Sequence, residues 1–448
     1  MPGQHDVRGT WVTLCDLDPR GNCVGGTGQS QQITRQDGSS AGFTFEDAPQ
    51  SPRGVVAWKD VNGNGKLDRG DLCGASPVDG LTPAKVRAPY QGAVVGNREG
   101  FVRKLSPGGK VLWTTAISTL ERDNIFGMTA DAAGNIFIAG ATGGELQSGA
   151  PARGQDAFVA KLTPGGKVAW TRQFGSSADD LARGVALGPD GSLYVVGETG
   201  GTLPGGQDTF VARLSGGGEL LWMHQLGNEF DDVAGGVDVD GTGHVYAAGS
   251  VGTNDLADYD GFLAQFDAAG RPLWAKTYAT GGQSYVTGLA VRGDMAVLVG
   301  NTDTVLPGQK SAGPGQYGVN NDAFVICVDP KGGTRRIRQF GGKGTAGASG
   351  VTITGNGDVL VTGEADGGLF DQKGQGEYDV FVSRYTAGGE RLWTRLFGTA
   401  QSDYGSQVLP TRDALFVAGT SFSPMGGKPA VKDVDAFVAR LPLVNGGR

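Results

Sequence analysis

A seven-residue motif recurs along most of the chain and limits the fold more than any other feature. DAFVAKL at 156–162 returns as DTFVARL at 208–214, DGFLAQF at 260–266, DAFVICV at 322–328, DVFVSRY at 379–385 and DAFVARL at 435–441, with EGFVRKL at 99–105 as a more divergent first copy. Trp113, Trp170, Trp222, Trp274 and Trp393 hold one fixed place after the motif phenylalanine, and Arg336 takes that place in the fifth copy. A third register follows at Ile117, Phe174, Leu226, Tyr278, Phe340 and Phe397. Three registers locked together over seven copies are the mark of a repeat architecture.

Each unit reads as four short strands. In the unit spanning 181–226 they are ARGVALGP, SLYVVGE, DTFVARL and ELLWMHQL, with period-2 alternation and β-branched or aromatic residues. Turn chemistry separates them: PDG at 189–191, GNG at 355–357, PGG at 107–109 and 164–166, AGG at 387–389. Glycine takes the positive φ that such hairpins need, which accounts for much of its 81 residues in 448, against a usual share of about 7%. Four-stranded units with no helical segment between them indicate propeller blades. The expected fold class is therefore all-β: a seven-bladed β-propeller of four-stranded blades over 81–448, preceded by a separate module over 1–80. Ring closure has two routes. Residues 84–97 supply inner strands for the first copy, or a segment near 76–90 pairs with 435–441; strand borrowing of the second kind is the expectation.

The run DAFVAKLTPGGKVAWTRQFGSSADDLARGVALGPDGSLYVVGETGG resembles the bacterial β-propeller repeat called SBBP, over about residues 83–448. The resemblance implies a seven-bladed propeller in an exported or cell-surface bacterial protein without established enzyme activity. The tryptophan-bearing strands are also similar to those of quinoprotein dehydrogenases and of propeller lipoproteins in outer-membrane assembly. A quinone-dependent dehydrogenase would need an eight-bladed ring with calcium at the cofactor, and the seven units here argue against one.

Residues 1–80 fall outside the repeat. Strands are expected at 9–14, 40–47 and 53–60, giving a small β-sandwich-like module, which resembles the immunoglobulin-like or prealbumin-like modules of bacterial surface proteins. Within it, DVNGNGKLDRGD at 60–71 has the layout of a calcium loop. Asp60, Asn62, Asn64, Asp68 and Asp71 occupy side-chain ligand places, Lys66 contributes its carbonyl, and Gly65 stands at the sharp turn. Asp71 in place of the usual bidentate Glu, and two neutral Asn, lower the expected affinity to about 10⁻⁴–10⁻³ M. The plainer alternative is an Asn/Gly-rich turn without an ion. Cys15 and Cys23 are spaced to close a small loop as a disulfide.

Two candidate site groups come from the repeat. Asp123, Asp180, Asp232 and Asp403 precede the innermost strand of their units, where Ser284 and Ala346 stand in the others, and would ring one mouth of the channel. They serve either as a cation or polar-ligand site, or as acceptors for backbone N–H groups. Long loops at 302–321, 364–378 and 421–434 enter the third strands, and Tyr259, Tyr317, Phe370, Tyr378 and Phe422 lie in or beside such loops. Variable loops on a rigid scaffold concentrate binding function. The aromatics would anchor a protein or stack on a sugar, or else cover blade edges. The motif-opening aspartates face the column Lys104, Lys161, Arg213, Arg384 and Arg440, read as a set of salt bridges, with Cys327 interrupting it on a polar face.

The function classes narrow accordingly. A formal charge of −8 with no Lys/Arg run gives nucleic-acid binding no footing, and no apolar stretch is long enough for a transmembrane helix. Residues 1–10 carry no signal-peptide run, so the chain is read as intracellular or as a mature exported form. His5, His224 and His244 show no metal spacing, and no nucleophile–base arrangement is present. The reading is a non-enzymatic extracellular, periplasmic or cell-surface scaffold that binds a protein partner and is stabilised by calcium. A glycan-binding propeller is the alternative, and a hydrolase or lyase at the channel mouth stands third.

Overall fold

In the computed structural model, strand backbones are described at 10–17, 23–32, 53–59, 72–78 and 93–94. Residues 100–443 are described apart from 120, 148–153, 202–206, 254–257, 279–281, 311–320, 343, 424 and 426–434. The chain divides into two compact units, 1–101 with 116–123, and 102–115 with 124–448.

In the first unit, β1 (Thr10–Leu17), β2 (Cys23–Gln32), β3 (Arg53–Lys59), β4 (Leu72–Val78) and β5 (Ala93–Val94) form one antiparallel sheet in the order β2-β1-β3-β4-β5. The expected sandwich has no second sheet among the described residues. The strand expected at 40–47 lies outside them, as does the calcium loop with Asp60, Asn62, Asn64, Lys66, Asp68 and Asp71. Its flanks are described: Lys59 and Leu72 are ladder partners, so the chain leaves and re-enters the sheet at one point. Cys15 is opposite Gly26 and Cys23 is opposite Leu17 in the β1–β2 ladder; their side chains are outside the description.

The repeats fold as blades. β6 (Gly100–Leu105) and β7 (Val111–Ile117) form a two-stranded sheet. The first full blade is β8 (Asp123–Ala130), β9 (Ile136–Thr142), β10 (Asp156–Leu162) and β11 (Val168–Phe174). The second is β12 (Asp180–Leu187), β13 (Leu193–Thr199), β14 (Asp208–Leu214) and β15 (Leu220–Leu226). The third is β16 (Asp232–Val239), β17 (Val245–Gly252), β18 (Tyr259–Phe266) and β19 (Pro272–Tyr278). The fourth is β20 (Ser284–Arg292), β21 (Met295–Thr302), β22 (Asp322–Val328) and β23 (Thr334–Phe340). The fifth is β24 (Ala346–Ile353), β25 (Val359–Asp366), β26 (Tyr378–Tyr385) and β27 (Arg391–Phe397). The sixth has three strands, β28 (Asp403–Pro410), β29 (Ala414–Ser421) and β30 (Asp435–Pro442). First strands of successive blades pack on one another, β12 on β16, β16 on β20, β20 on β24 and β24 on β28, and so lie innermost.

The blade count is thus six, not seven. Seven copies of the third strand exist, but only six have an inner pair to join among the described residues. Of the residues expected to supply the missing pair, Ala93–Val94 pairs with β4 instead. Of the segment expected to be borrowed, only residues 76–78 are described and they pair within the first unit, while 79–90 lies outside the described residues; β30 pairs with β29.

The motif phenylalanine acquires its meaning in the second strand. Phe158, Phe210, Phe262, Phe324, Phe381 and Phe437 stand directly opposite Gly140, Gly197, Gly249, Gly300, Gly363 and Gly419. Phe210 is fully buried with its ring over Gly197, where a Cβ would collide with that ring and with the Leu181 carbonyl. Glycine here makes room rather than a turn, and the ring covers the bare backbone. Burying one such ring stabilises the blade by about 1.5–3 kcal/mol.

The tryptophans fasten neighbouring blades. Trp113 Nε1 donates to the Pro164 carbonyl at 3.1 Å, Trp222 to Ala268 at 3.1 Å, and Trp274 to Pro330 at 2.9 Å. Each acceptor lies in the hairpin between the third and fourth strands of the following sheet. Those hairpins share one design, as in Ser215–Glu219, where Ser215 and Glu219 pair and Gly218 turns at φ 85°.

Candidate functional site

Every blade from the second to the sixth carries a β-bulge in its innermost strand, leaving Arg183, Gly235, Thr287, Ser349 and Ser406 without a ladder partner. A bulge re-aims the side chain of the extra residue. In the second blade it delivers Arg183 to Glu198, with Nε to Oε1 at 3.1 Å and Nη2 to Oε2 at 2.9 Å. The Ala234 N–H of the next blade also donates to Glu198 at 3.2 Å. This carboxylate is fully committed to structure.

The fifth blade has the same layout with its partners removed. Glu364 stands where Glu198 does, but the bulge residue is Ser349, whose Oγ donates across a long 3.4 Å. Gly347 takes the place held by Leu181, Val233, Tyr285 or Tyr404 in other blades, and Ala346 replaces the aspartate that opens most inner strands. Three small residues in one blade leave a hollow of about 180 Å³ lined by Asn301, Asn321, Thr345, Ala346, Gly347, Glu364, Tyr378 and Tyr404. Burial pushes the Glu364 carboxyl up to about 7, with the Ser349 bond opposing it. Aromatic walls complete the site. Tyr378 and Tyr404 stack with ring centroids 5.6 Å apart, Tyr404 meets Phe422 edge-on at 6.1 Å, and Thr345 Oγ1 donates to the Tyr378 hydroxyl at 3.0 Å. A side pocket with amides, one carboxyl group and a paired tyrosine wall suits a polar ligand with an apolar face.

Of the expected loop aromatics, Tyr378 therefore lines the hollow and Phe422 adjoins it. Phe370 lies elsewhere in the fifth blade, stacked on Phe340 at 5.6 Å beneath the Arg391 guanidinium at 4.0 Å, with φ 55°. Tyr259 pairs with Tyr285 at 4.9 Å. Tyr317 is outside the described residues. Glu364, Asn301, Gly347 and Tyr404 were not singled out from the sequence, although aligning the copies shows Gly347 as a departure from the larger residues at its place in the other blades.

The channel-mouth carboxylates are buried and bonded to the connection that precedes them. Asp180 accepts from the Ser176 N–H at 2.6 Å, Asp232 from the N–H groups of Asn228 and Gly252 at 3.2 and 3.1 Å, and Asp403 from Thr399 Oγ1 at 2.9 Å. Asp123 accepts from Thr119 Oγ1 at 3.1 Å. The motif-opening aspartates do not pair with the basic column. Asp156, Asp208 and Asp322 bond instead to Gln173, Gln225 and Gln339. Arg213 and Arg384 bond to Asp190 and Asp358, on the turns after the first strands. Cys327 is buried between the fourth and fifth blades rather than on a polar face, and burial pushes its thiol up. Among the described residues, no group of three or more His, Cys, Asp or Glu side chains converges as a metal centre, and no helix is long and apolar enough to cross a membrane.

No protein-family model matches the chain. It is 24% identical over 396 residues to the regulatory protein FlaEY of Caulobacter vibrioides, covering 76% of this chain and 41% of that protein. The chain thus spans less than half the length of this relative. Among solved structures, it is similar to the α-L-arabinofuranosidase Arb93A of Fusarium graminearum (13% identical, TM-score 0.42, covering 70% of this chain and 93% of that one). It is also similar to Sqt1 of Chaetomium thermophilum (12% identical, TM-score 0.38, covering 67% of each). Likenesses this distant carry no argument beyond what the sheets themselves show.

Proposed function

We propose that the protein is a non-enzymatic binding propeller of the SBBP type, acting outside the cytoplasm or in the cell envelope, that holds a protein partner on its long-loop side. The observation that carries this reading is that three of the exposed large apolar side chains fall on successive long loops, the others lying mostly on blade strands. Val305, Phe370 and Phe422 are 54%, 42% and 44% exposed, and each lies on the loop that follows the second strand of the fourth, fifth or sixth blade. Large exposed side chains on successive variable loops are a surface that a partner would cover. The hollow that Phe422 adjoins offers one carboxyl group, whereas glycoside hydrolysis takes a pair; this supports binding over catalysis. Calcium in the Asp60–Asp71 loop would tie the end of the β3–β4 hairpin.

A second reading, glycan binding, is favoured by the Tyr378–Tyr404–Phe422 wall next to Asn301, Asn321 and Glu364. The two separate cleanly. A partner captured from envelope extract by the wild type and lost with Phe370→Ala plus Phe422→Ala supports the first. Retention on a glycan array that is lost with Tyr404→Ala supports the second. If both variants leave all captured partners and glycans unchanged, neither reading stands.

A further inference from the structure

We propose that the junctions between blades hold hard divalent cations of the Ca²⁺ class, each bound by two buried aspartates, one from the third strand of a blade and one from the first strand of the next. Three junctions among the described residues share the arrangement: Asp156 with Asp180, Asp208 with Asp232, and Asp379 with Asp403. All six side chains are at most 3% exposed. In each pair an oxygen of the third-strand aspartate and one of the first-strand aspartate lie beside the point where a Cβ would sit on one glycine, Gly175, Gly227 or Gly398. At Gly175 the two oxygens, Asp156 Oδ1 and Asp180 Oδ2, lie 2.6 and 2.7 Å from the point a Cβ would occupy.

The remaining hydrogen bonds leave one oxygen out in every pair. Oδ2 of Asp156 and of Asp208 accepts from a glutamine, and Oδ2 of Asp379 accepts from the Gln375 N–H at 2.7 Å. Oδ1 of the same three residues is buried with no hydrogen-bond partner, and it is the atom aimed at the opposing carboxylate. Oδ1 of Asp403 is left over in the same way. A buried, unpartnered carboxylate oxygen is costly to leave unsatisfied, and a second anion facing it adds repulsion. Among the described residues nothing polar repays this at any of the three junctions, and the same arrangement recurs each time. A cation between the two oxygens removes both penalties at once. Ca²⁺ accepts carboxylate oxygens at 2.3–2.6 Å with irregular geometry and completes its shell with water and backbone carbonyls. With only two carboxylates per site, affinity should fall in the weak range of about 10⁻⁴–10⁻³ M.

The repeat supplies its own controls. Ser284 and Ala346 stand at the first-strand position in the fourth and fifth blades, so serine and alanine are compatible with the fold there. The experiment titrates Ca²⁺ into chelator-stripped full-length protein by calorimetry, in an Asp60→Ala background that removes the N-terminal loop, and then with Asp232→Ser or Asp403→Ala added. Each added substitution is expected to lower the bound stoichiometry by one equivalent, with the circular-dichroism spectrum unchanged. An unchanged stoichiometry in both variants, or no calcium uptake by the Asp60→Ala protein, overturns the proposal. Absence of uptake with a melting temperature that rises as pH falls to 5 would assign the pairs a shared proton instead.

Discussion

Glu364→Gln separates a site built for a ligand from a site built for the blade. The carboxyl is displaced from an ordinary 4.5 to about 7 because it is buried beside Ser349 rather than beside an arginine. A folded-state value above the unfolded one means that the folded protein holds the proton more tightly. That advantage is complete below pH 4.5 and is lost as pH rises through about 7. At pH 8 the wild type carries a buried charge that costs, at 1.36 kcal/mol per pKa unit, about 3 kcal/mol. Glutamine keeps the shape and never ionises. The variant should therefore match the wild type at pH 4.5 and be about 3 kcal/mol more stable at pH 8, which is roughly 4 °C in melting temperature for a propeller of this size. Paired thermal melts at the two pH values read this directly. Equal melting curves at pH 8, or a stabilisation of the same size at both, would refute the argument, since either would mean that Glu364 is not a desolvated charge. A stabilising substitution in a binding hollow should also cost affinity for whatever ligand the carboxyl contacts.

Other expectations follow from the blades. Phe210→Ala should cost about 3–5 kcal/mol, measured from the denaturant midpoint, because the ring is fully buried over Gly197. Gly197→Ala should be destabilising although it adds only one carbon, since the new methyl group meets the Leu181 carbonyl and the Phe210 ring. Trp222→Phe should lose about 1 kcal/mol with the bond to Ala268, visible as a lower melting temperature. The Cys327 thiol, buried and pushed up, should react with an aromatic disulfide reagent only on unfolding; the difference between wild type and Cys327→Ser in native thiol counts should be zero.

The repeat was legible because each blade answers the same steric problem with the same residues, so register could be read from phenylalanine and tryptophan alone. Blade number was not, because a third-strand copy counts as a blade only with an inner pair to join, and the first copy has none among the described residues. Glycine was only half explained by turns. Gly197 and its equivalents are strand residues whose purpose appears once the facing ring is known. The hollow at the fifth blade was hidden for a related reason. Periodicity draws attention to what repeats, whereas Gly347, Ser349 and Ala346 matter because each lacks a group present in other blades. Glu364 looks unremarkable beside Glu198 until the missing arginine is noticed.

The tryptophan bonds have a direction. Among the described residues, the indoles of Trp113, Trp222 and Trp274 reach forward to a hairpin later in the chain. During synthesis, which proceeds at about 5–20 residues per second, a blade whose four strands have emerged still has an unbonded indole until the next blade's last hairpin follows. The units that carry Trp113, Trp222 and Trp274 are therefore sealed by their successors, and their assembly lags synthesis by one blade. The same polarity makes the two ends unequal. Loss of an early blade frees a carbonyl on a surface turn, which water can satisfy, whereas loss of a late blade strands an indole N–H. Trp393 Nε1 of the fifth blade is buried without a partner among the described residues. Shortening the chain from its carboxyl end should accordingly be the more damaging cut.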